Sequence, residues 1–313
     1  MKKLAALFLV VGVYVSLNAQ DSFFLNSNQS LLCLNPSFAG SNGGFRNQVS
    51  FRNQWPNLSG RVITFLNSAD VYLSPAKAGI GASVIYDEMW LGVYTSSLYS
   101  LSYAQHLLFY GGKLKLIPSL QMSYGHRKLD VSQMNIGVEL SDPRHGYLWD
   151  PTGPGPVYEK TYFDVSAGFL INYQEKLFVG ASFFHLNQAD VGFAGAQGLP
   201  HKVNLHTSYN MECNKNLRLQ FFALMNVQQD FYTTRLAVNA LLYDHLITGL
   251  ACSNYESAIL SAGYRNPLFT FLLGYDLTIS KLAGNTVGSW EMHASYNLRS
   301  KELRRSVTSF ETW

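Results

Sequence analysis

Polar and apolar residues alternate with a period of two along most of this chain. The stretch 290–298, WEMHASYNL, shows the pattern clearly, because its large apolar side chains share one parity and its polar side chains share the other. Successive side chains of a β-strand point to opposite faces, so such a stretch has one apolar and one polar face. No segment of similar length shows a convincing helical period of about 3.6 residues. The pattern therefore predicts an all-β protein.

The alternating segments are long for strands of a soluble sheet. They exceed the ~5–6 residues usual there and match the roughly 9–11 residues of a tilted transmembrane strand. The fourteen predicted strands cover residues 45–53, 61–72, 78–87, 94–109, 112–127, 160–172, 177–187, 201–211, 216–228, 232–243, 246–255, 258–266, 268–278 and 288–298. An even number of long, two-faced strands predicts a transmembrane antiparallel up-and-down β-barrel of about fourteen strands with a polar lumen.

Tight and longer links alternate along this predicted barrel. Every second link is tight, at residues 74–77, 110–111, 173–176, 212–215, 244–245 and 267. The intervening links include two long ones, 128–159 and 187–200, although others on that side are short. Bacterial barrels have short periplasmic turns and longer external loops. This phase therefore predicts that the long loops are extracellular and that both termini are periplasmic.

The composition agrees with a membrane barrel. Charged residues make up 14% of the chain and aromatic residues another 14%, whereas soluble domains usually have about 25% charged residues. A net charge of +3 without a basic run predicts no nucleic-acid partner. Besides Trp55, aromatic residues near strand ends predict the interfacial girdles of a barrel: Trp90, Tyr94, Tyr110, Tyr173, Tyr243, Tyr255, Tyr264 and Trp290.

The ends of the chain are predicted to lie outside the barrel strands. Lys2 and Lys3 precede an apolar run over residues 4–15 and a small, polar exit, which is typical of a cleaved export signal covering residues 1–19. Residues 20–44 form a segment that either enters the lumen or lies in the periplasm. The outer-membrane barrel then covers residues 45–299, and residues 300–313 form a periplasmic tail.

No catalytic or metal-binding motif stands out. The three cysteines have neither a disulfide framework nor metal-ligand spacing, so we expect no enzyme activity, no metal and no cofactor. The lumen charges have two interpretations: they pair and pack the interior, or they form a ring that selects ions. These residues are Arg218, Arg235, Asp276, Glu291 and Arg299.

Two stretches near the N-terminus, NPSFAG at 35–40 and FRNQWP at 51–56, resemble the signature of the PorP/SprF family. Three later stretches are similar to further blocks of that family: Gly79-Ile80-Gly81 with Asp87, Phe178-Val179-Gly180-Ala181-Ser182 with His185-Leu186, and Gly274-Tyr275-Asp276 with Gly288-Ser289-Trp290-Glu291. The family commonly has histidine before that glutamate, where this chain has Trp290. The resemblance spans nearly the whole chain after the export signal.

The resemblance implies a non-enzymatic role beside the type IX translocon in the outer membrane of Bacteroidetes-type bacteria. Some family members couple to periplasmic ring components of the secretion machinery. Others act with a large secreted adhesin that carries a type IX C-terminal domain, often in gliding motility. We expect the second role, in which external loops bind the C-terminal domain of the cargo and support its secretion or surface attachment. The alternative is a passive porin or small-solute transporter.

Two groups of residues are candidates for partner binding. The family signature implies Asn35, Pro36, Gly40, Arg52, Asn53, Gln54, Trp55 and Pro56, which equally suit a role in stabilising the first hairpin. The longest loop adds a proline- and glycine-rich stretch that cannot extend a strand ladder and is therefore stiff. Its candidate residues are Asp150, Pro151, Gly153, Pro154, Gly155 and Pro156.

Overall fold

A computed structural model of the protein describes residues 24–133, 155–193, 195–254, 257–279, 284 and 286–299. The expected export signal at 1–19 and the expected tail at 300–313 lie outside the described residues. So do Asp150, Pro151, Gly153 and Pro154 of the longest loop. Within the described residues, no helix is long and apolar enough to cross a membrane.

Fifteen antiparallel strands follow one another around a single sheet. In chain order they are β1 (Gly44–Gln54), β2 (Val62–Leu73), β3 (Ala78–Met89), β4 (Tyr94–Gln105), β5 (Leu107–Phe109), β6 (Leu114–Asp130), β7 (Val157–Tyr173), β8 (Leu177–Phe184), β9 (Lys202–Asn214), β10 (Leu217–Gln228), β11 (Phe231–Leu242), β12 (Leu246–Ser253), β13 (Ser257–Arg265), β14 (Phe269–Thr278) and β15 (Ser289–Arg299). Because β4 and β5 both pair with β6 and are separated only at His106, they form one barrel strand.

The sheet closes on itself. Strand β1 pairs with β2 on one side and with β15 on the other, in a continuous register from Gly44 opposite Arg299 to Gln54 opposite Ser289. The structure is therefore a closed barrel of fourteen strands, which confirms the predicted fold class. Closure satisfies the backbone hydrogen bonds of every strand, and a lipid-exposed open sheet cannot do this.

The strand bounds agree with the alternation pattern to within a few residues. The largest shortening is at the predicted strand 177–187, because β8 ends at Phe184 and His185 has a left-handed backbone with φ of 62°. Asn187 then bonds to the edge of β7 through its side chain, accepting from Val165 N and donating to Phe163 O. A side chain thus replaces the last ladder pairs of this strand.

The two faces of the wall are inverted relative to a soluble protein. On β4, Leu101 is 66% exposed on the outer face while the neighbouring Ser100 is 5% exposed on the inner face. The same parity makes Arg46, Gln48, Ser50 and Arg52 of β1 buried inside the barrel. Apolar side chains therefore form the outer surface, and polar side chains line the lumen.

The two ends of the barrel differ in their links. We call the turn end the one formed by the short links 74–77, 110–113, 174–176, 215–216, 243–245 and 266–268. The loop end is formed by the links 55–61, 90–93, 131–156, 185–201, 229–230, 254–256 and 279–288. Short 3-10 turns occur at Trp90–Gly92, Tyr110–Gly112 and Val131–Gln133. The alternation of tight and longer links thus follows the predicted phase.

Most of the described girdle aromatics lie on the outer face. Trp90, Tyr110, Tyr173, Tyr243 and Tyr264 are exposed, and Tyr255 lies outside the described residues. Tyr94 was wrongly placed in a girdle, because its side chain lines a lumen cavity together with Ser96 and Leu98. These three residues share the inward parity of β4.

Residues 24–43, which we call the plug, lie inside the barrel. They include one helical turn, α1 (Leu31–Leu34), and a 3-10 turn, Pro36–Phe38. Every plug residue is buried except Cys33, which is half-buried. The plug leads directly into β1 at the turn end of the barrel.

Candidate functional site

The lumen wall and the plug form one hydrogen-bonded interface, and this interface is the most elaborate polar site of the described chain. The plug has no charged residue, so its main chain and its amide and hydroxyl side chains form its polar contacts. Wall residues from strands far apart in sequence meet it. Buried polar groups are tolerated when they are hydrogen-bonded, and a closed lumen supplies the necessary partners.

Near the turn end, an ion pair holds the last part of the plug. Arg46 on β1 donates from Nε to Asp70 Oδ1 on β2 over 2.8 Å, and both side chains are buried. Arg46 Nη2 also donates to Phe38 O at 3.1 Å, and Asp70 Oδ2 accepts from Gly40 N at 2.8 Å. The pair therefore binds the plug backbone through both its positive and its negative member.

Near the loop end, two charged side chains bind the main chain of the first part of the plug. The carboxylate of Glu291 on β15 accepts from Leu25 N at 2.5 Å and from Asn26 N at 3.0 Å. Arg235 on β11 donates to Phe24 O at 2.5 Å and to Leu25 O at 2.6 Å. Charge-assisted hydrogen bonds are stronger than neutral ones. We call Glu291 and Arg235 the plug clamp; they fix the start of the plug near the loop end, whereas the plug joins β1 at the turn end.

Arg52 belongs to the same charged region. Its side chain is buried and interacts electrostatically with Glu291, Asp276 and Asp87. Thr64 on β2 donates to Asp87 Oδ1 at 2.6 Å, which ties a further acidic side chain into the group. The lumen charges thus pair and pack in this part of the barrel, as the first of the two interpretations expected. Arg218 lies nearer the turn end, where it pairs with Asp244.

Asn35 lies in the middle of the plug, between α1 and the 3-10 turn. Its Oδ1 accepts from Ser37 N at 2.9 Å, which caps the 3-10 turn that begins at Pro36. Its Nδ2 donates to Phe169 O and Ala181 O on the wall, at 3.1 Å each. Proline suits the first position of such a turn because its fixed φ is already helical. The Asn35-Pro36 sequence therefore both shapes the plug and joins it to β7 and β8.

Two wall glycines leave room for the plug. A Cβ atom at Gly79 would lie 1.9 Å from Ala39 O, and one at Gly168 would lie 2.2 Å from Asn35 Oδ1. Real Cβ atoms do not approach other atoms so closely, so any larger residue at either position requires the plug or the wall to move. Gly40 itself has φ of +70°, a left-handed conformation that glycine adopts without steric cost.

A small cavity remains beside the plug toward the loop end. Its volume is about 80 Å³, and its lining includes Leu32, Asp87, Tyr94 and His185. Asp164 lines it as well, and its Oδ1 lies 3.2 Å from His185 Nδ1. Among the described residues, no group of three or more His, Cys, Asp or Glu side chains is arranged to hold a metal ion.

At the loop end, the described residues of the link 185–201 are held by several hydrogen bonds from side chains. Asp190 Oδ1 accepts from Gln197 N at 2.8 Å and from Gly192 N at 3.1 Å, and its Oδ2 accepts from Lys160 Nζ at 2.7 Å. These bonds, first of all the one from Lys160, lower the pKa of Asp190 to about 2. An ionised aspartate therefore organises this link at neutral pH.

The predicted partner-binding residues fall into separate places. Asn35, Pro36 and Gly40 lie in the plug and Arg52 is buried in the lumen wall. Asn53 and Gln54 end β1 half-buried, and Trp55 and Pro56 begin the adjoining link at the loop end. Of the loop stretch 150–156, only Gly155 and Pro156 are described; Pro156 O accepts from Val131 N at 3.1 Å. The structure therefore gives the first four residues partners inside the barrel.

Sequence reasoning missed the plug contacts of Asp70, Gly79 and Gly168. Asp70 shares the inward parity of β2, but parity carries no information about what fills the lumen. Glu291 was recognised as a lumen charge without its partners. The one available signal was the inward parity of both Asp70 and Arg46 on neighbouring strands. Unpaired charges are costly in an interior, so two opposite charges on the lumen side indicate an ion pair.

Residues 16–296 match the family described as type IX secretion system membrane protein PorP/SprF. The chain belongs to the PorP/SprF family. This confirms the resemblance drawn from the sequence, and family membership together with the barrel fold fits an outer-membrane location. The curated proteins include none that matches this PorP/SprF protein.

Solved structures of outer-membrane barrels are similar to this family member. The monoaromatic hydrocarbon channel CymD is 13% identical with a TM-score of 0.50, and the match covers 90% of this chain and 95% of CymD. The toluene transporter TodX of Pseudomonas putida is 10% identical with a TM-score of 0.46, covering 89% and 93% of the two chains. Omp33 of Acinetobacter baumannii is 11% identical with a TM-score of 0.44, covering 82% and 100%. At such identities the similarity concerns the fold alone.

Proposed function

We propose that this PorP/SprF protein is a sealed outer-membrane barrel that binds the C-terminal domain of a type IX secreted protein, such as an adhesin, and supports its secretion or surface attachment. The observation that carries the proposal is the plug, which fills the lumen through charge-assisted and close-packed contacts. Because the interior is filled in this way, the rims and loops are the surfaces on which a partner can bind. The lumen itself offers little space for solute passage.

The stretches that resemble the family blocks support a sealed lumen. Asn35 belongs to the plug, Gly79 makes room for Ala39, Ser182 donates to Leu34 O at 2.8 Å, and Glu291 clamps Leu25 and Asn26. Four of the five blocks thus contribute at least one residue to the plug interface. A fixed plug opposes free diffusion of solutes through the lumen, which favours the binding role over a passive porin.

We infer that the cargo binds at the loop end, which faces the cell exterior in this proposal, with both chain termini in the periplasm. Trp55 and Pro56 lie in one loop-end link, and the stretch 150–156 lies in the longest one. An aromatic anchor in one link and a proline- and glycine-rich sequence in another suit recognition of a folded partner domain, by loop clamping or strand addition. The buried residues Asn35, Pro36, Gly40 and Arg52 then support this surface indirectly through the plug.

A pull-down tests the binding role. The tagged protein is extracted from its own cells in a mild detergent, and co-purifying proteins are identified by mass spectrometry. We expect a large secreted protein with a type IX C-terminal domain. Replacing residues 150–156 with a Gly-Ser linker should strongly reduce its recovery, and the same replacement of the equally long loop-end segment 280–286 serves as the control.

Three results would redirect the proposal. Unchanged recovery after replacement of residues 150–156 would exclude this loop as the binding surface. Recovery of periplasmic ring or translocon components alone would place the protein's role in the secretion machinery rather than with cargo. Absence of any partner together with ion conductance would support the passive porin or small-solute transporter.

A further inference from the structure

Four lysines follow the turn end in a regular arrangement. Lys77, Lys113, Lys176 and Lys215 each lie on a different one of four consecutive short links, and all four are exposed. Their spacing therefore follows the hairpins of the wall and covers about half of this rim. We call these four residues the lysine rim.

Backbone bonds fix three members of the lysine rim to the next hairpin. Lys77 O accepts from His106 N at 2.9 Å, Lys113 O accepts from Gln174 N at 2.7 Å, and Lys176 O accepts from Asn210 N at 2.8 Å. The backbones of these three lysines are thus held by the neighbouring hairpin as well as by their own link. The charges consequently stay at one level around the barrel.

Two acidic side chains near the lysine rim, Glu175 and Asp244, are paired with other basic residues. Glu175 lies 3.8 Å from Lys115, and Asp244 pairs with Arg218. In the part of the chain that the structure describes, no member of the lysine rim makes an ion pair. The loop end differs, because Lys128 lies 3.4 Å from Asp130 and Lys160 lies 2.7 Å from Asp190.

Exposed tyrosines accompany the lysine rim. Tyr110 is 82% exposed in the same link as Lys113, and Tyr173 immediately precedes the link that contains Lys176. Tyr103 and Tyr243 are likewise exposed near this end. Aromatic girdles of barrels lie at the level of the lipid headgroups, so the ammonium groups of these lysines lie in or just beyond that layer.

We propose that the lysine rim is a binding site for the headgroups of anionic phospholipids in the leaflet at the turn end. Lysine suits this role because its ammonium is a compact charge on a flexible stem that can reach along the interface. Anionic headgroups attract clustered basic residues near a membrane surface. This inference stands independently of the proposed cargo binding, which uses the opposite end.

Native mass spectrometry of the detergent-solubilised full-length mature protein tests the site. The protein is titrated with dioleoyl phosphatidylglycerol and, separately, with dioleoyl phosphatidylcholine. We expect tighter binding of phosphatidylglycerol and a roughly fivefold loss for each lysine removed in the variant Lys77→Gln, Lys113→Gln, Lys176→Gln, Lys215→Gln. Replacing the same four lysines with arginine should retain the preference.

The control has Lys128→Gln and Lys160→Gln at the loop end, and heat-modifiable electrophoretic mobility checks that all variants are folded. We expect the control to retain the phosphatidylglycerol preference of the wild type. Equal preference in the wild type and the four-glutamine variant would overturn the proposal. An equal loss in the control would also overturn it, since the effect would then be general electrostatics. An acidic protein that co-purifies through these lysines without any lipid preference would replace lipid as the ligand.

Discussion

Glu291 shows how a single side chain combines several tasks inside this barrel. Its carboxylate binds two backbone N–H groups of the plug, and it also lies near Arg52 and Arg235. Its alternation with Trp290 and Met292 in the sequence indicated that it faces the lumen. The sequence could not indicate its partners, because Leu25 lies 266 positions away and the intervening strands show no pattern that joins the two.

Replacing Glu291 with glutamine should weaken the plug clamp. The change removes the negative charge between two buried arginines and leaves poorer acceptors for Leu25 and Asn26. Removing one partner of a buried ion pair typically costs about 3–5 kcal/mol, so we expect a lower thermal unfolding midpoint in detergent. The matched control is Glu212→Gln, because Glu212 is exposed at the end of β9. An unchanged midpoint for Glu291→Gln would contradict the importance of the clamp.

Strands and links of the barrel were the most predictable features of the protein. A strand such as β15, with apolar and polar residues on opposite faces, is specified by neighbours one and two positions away. The plug has no such period, so residues 20–44 were expected either in the lumen or in the periplasm. The link 187–200 was expected only as a long loop, whereas Asp190 organises it with Lys160 and two backbone groups.

The link 185–201 should keep its structure across the neutral and mildly acidic range. The pKa of Asp190 is lowered to about 2 in the folded protein, below the value of ~3.9 expected for an unfolded aspartate. Its stabilising contacts are therefore fully present above pH ~3.9 and are lost as the pH falls through about 2. Hydrogen exchange of the Gly192 and Gln197 amides should remain slow at pH 5.

The variant Asp190→Asn provides the comparison for this link. We expect faster exchange of both amides in this variant at pH 7, because the neutral side chain is a weaker acceptor and no longer pairs with Lys160. The backbone N–H of Glu175 donates to a different acceptor, Asn172 Oδ1 at the turn end, so its exchange should not change. Equal exchange in both proteins would mean that other contacts hold the link.

The whole molecule combines an apolar outer wall, a mainly polar inner wall and an insert that buries both polar and apolar side chains. The inner wall would require water or ions in an open barrel of this size, but here the plug supplies hydrogen bonds from within the same chain. The family match and the closed barrel agree with the expected membrane role. The plug favours the proposed binding role over a passive porin, because it opposes conduction through the lumen.

Conductance in planar bilayers measures whether the lumen is sealed. We expect the wild type to show little or no stepwise conductance, because the plug occupies the lumen between its turn end and its loop end. Deleting residues 24–43 should produce clear conductance steps in those molecules that still fold, as judged by heat-modifiable mobility. Wild-type conductance equal to that of the deletion variant would show that the plug leaves the barrel.

The amino-acid pattern alone was sufficient to predict the barrel, its fourteen strands and the alternation of short and long links. It did not predict that one of these strands is divided into β4 and β5. Each of these depends on residues that are close together in the chain. The position of the plug and the pairing of Arg46 with Asp70, Arg235 with the plug backbone and Glu291 with Leu25 required the folded molecule. These contacts join distant strands across an enclosed space, and the contents of that space are defined only when the wall has closed around it.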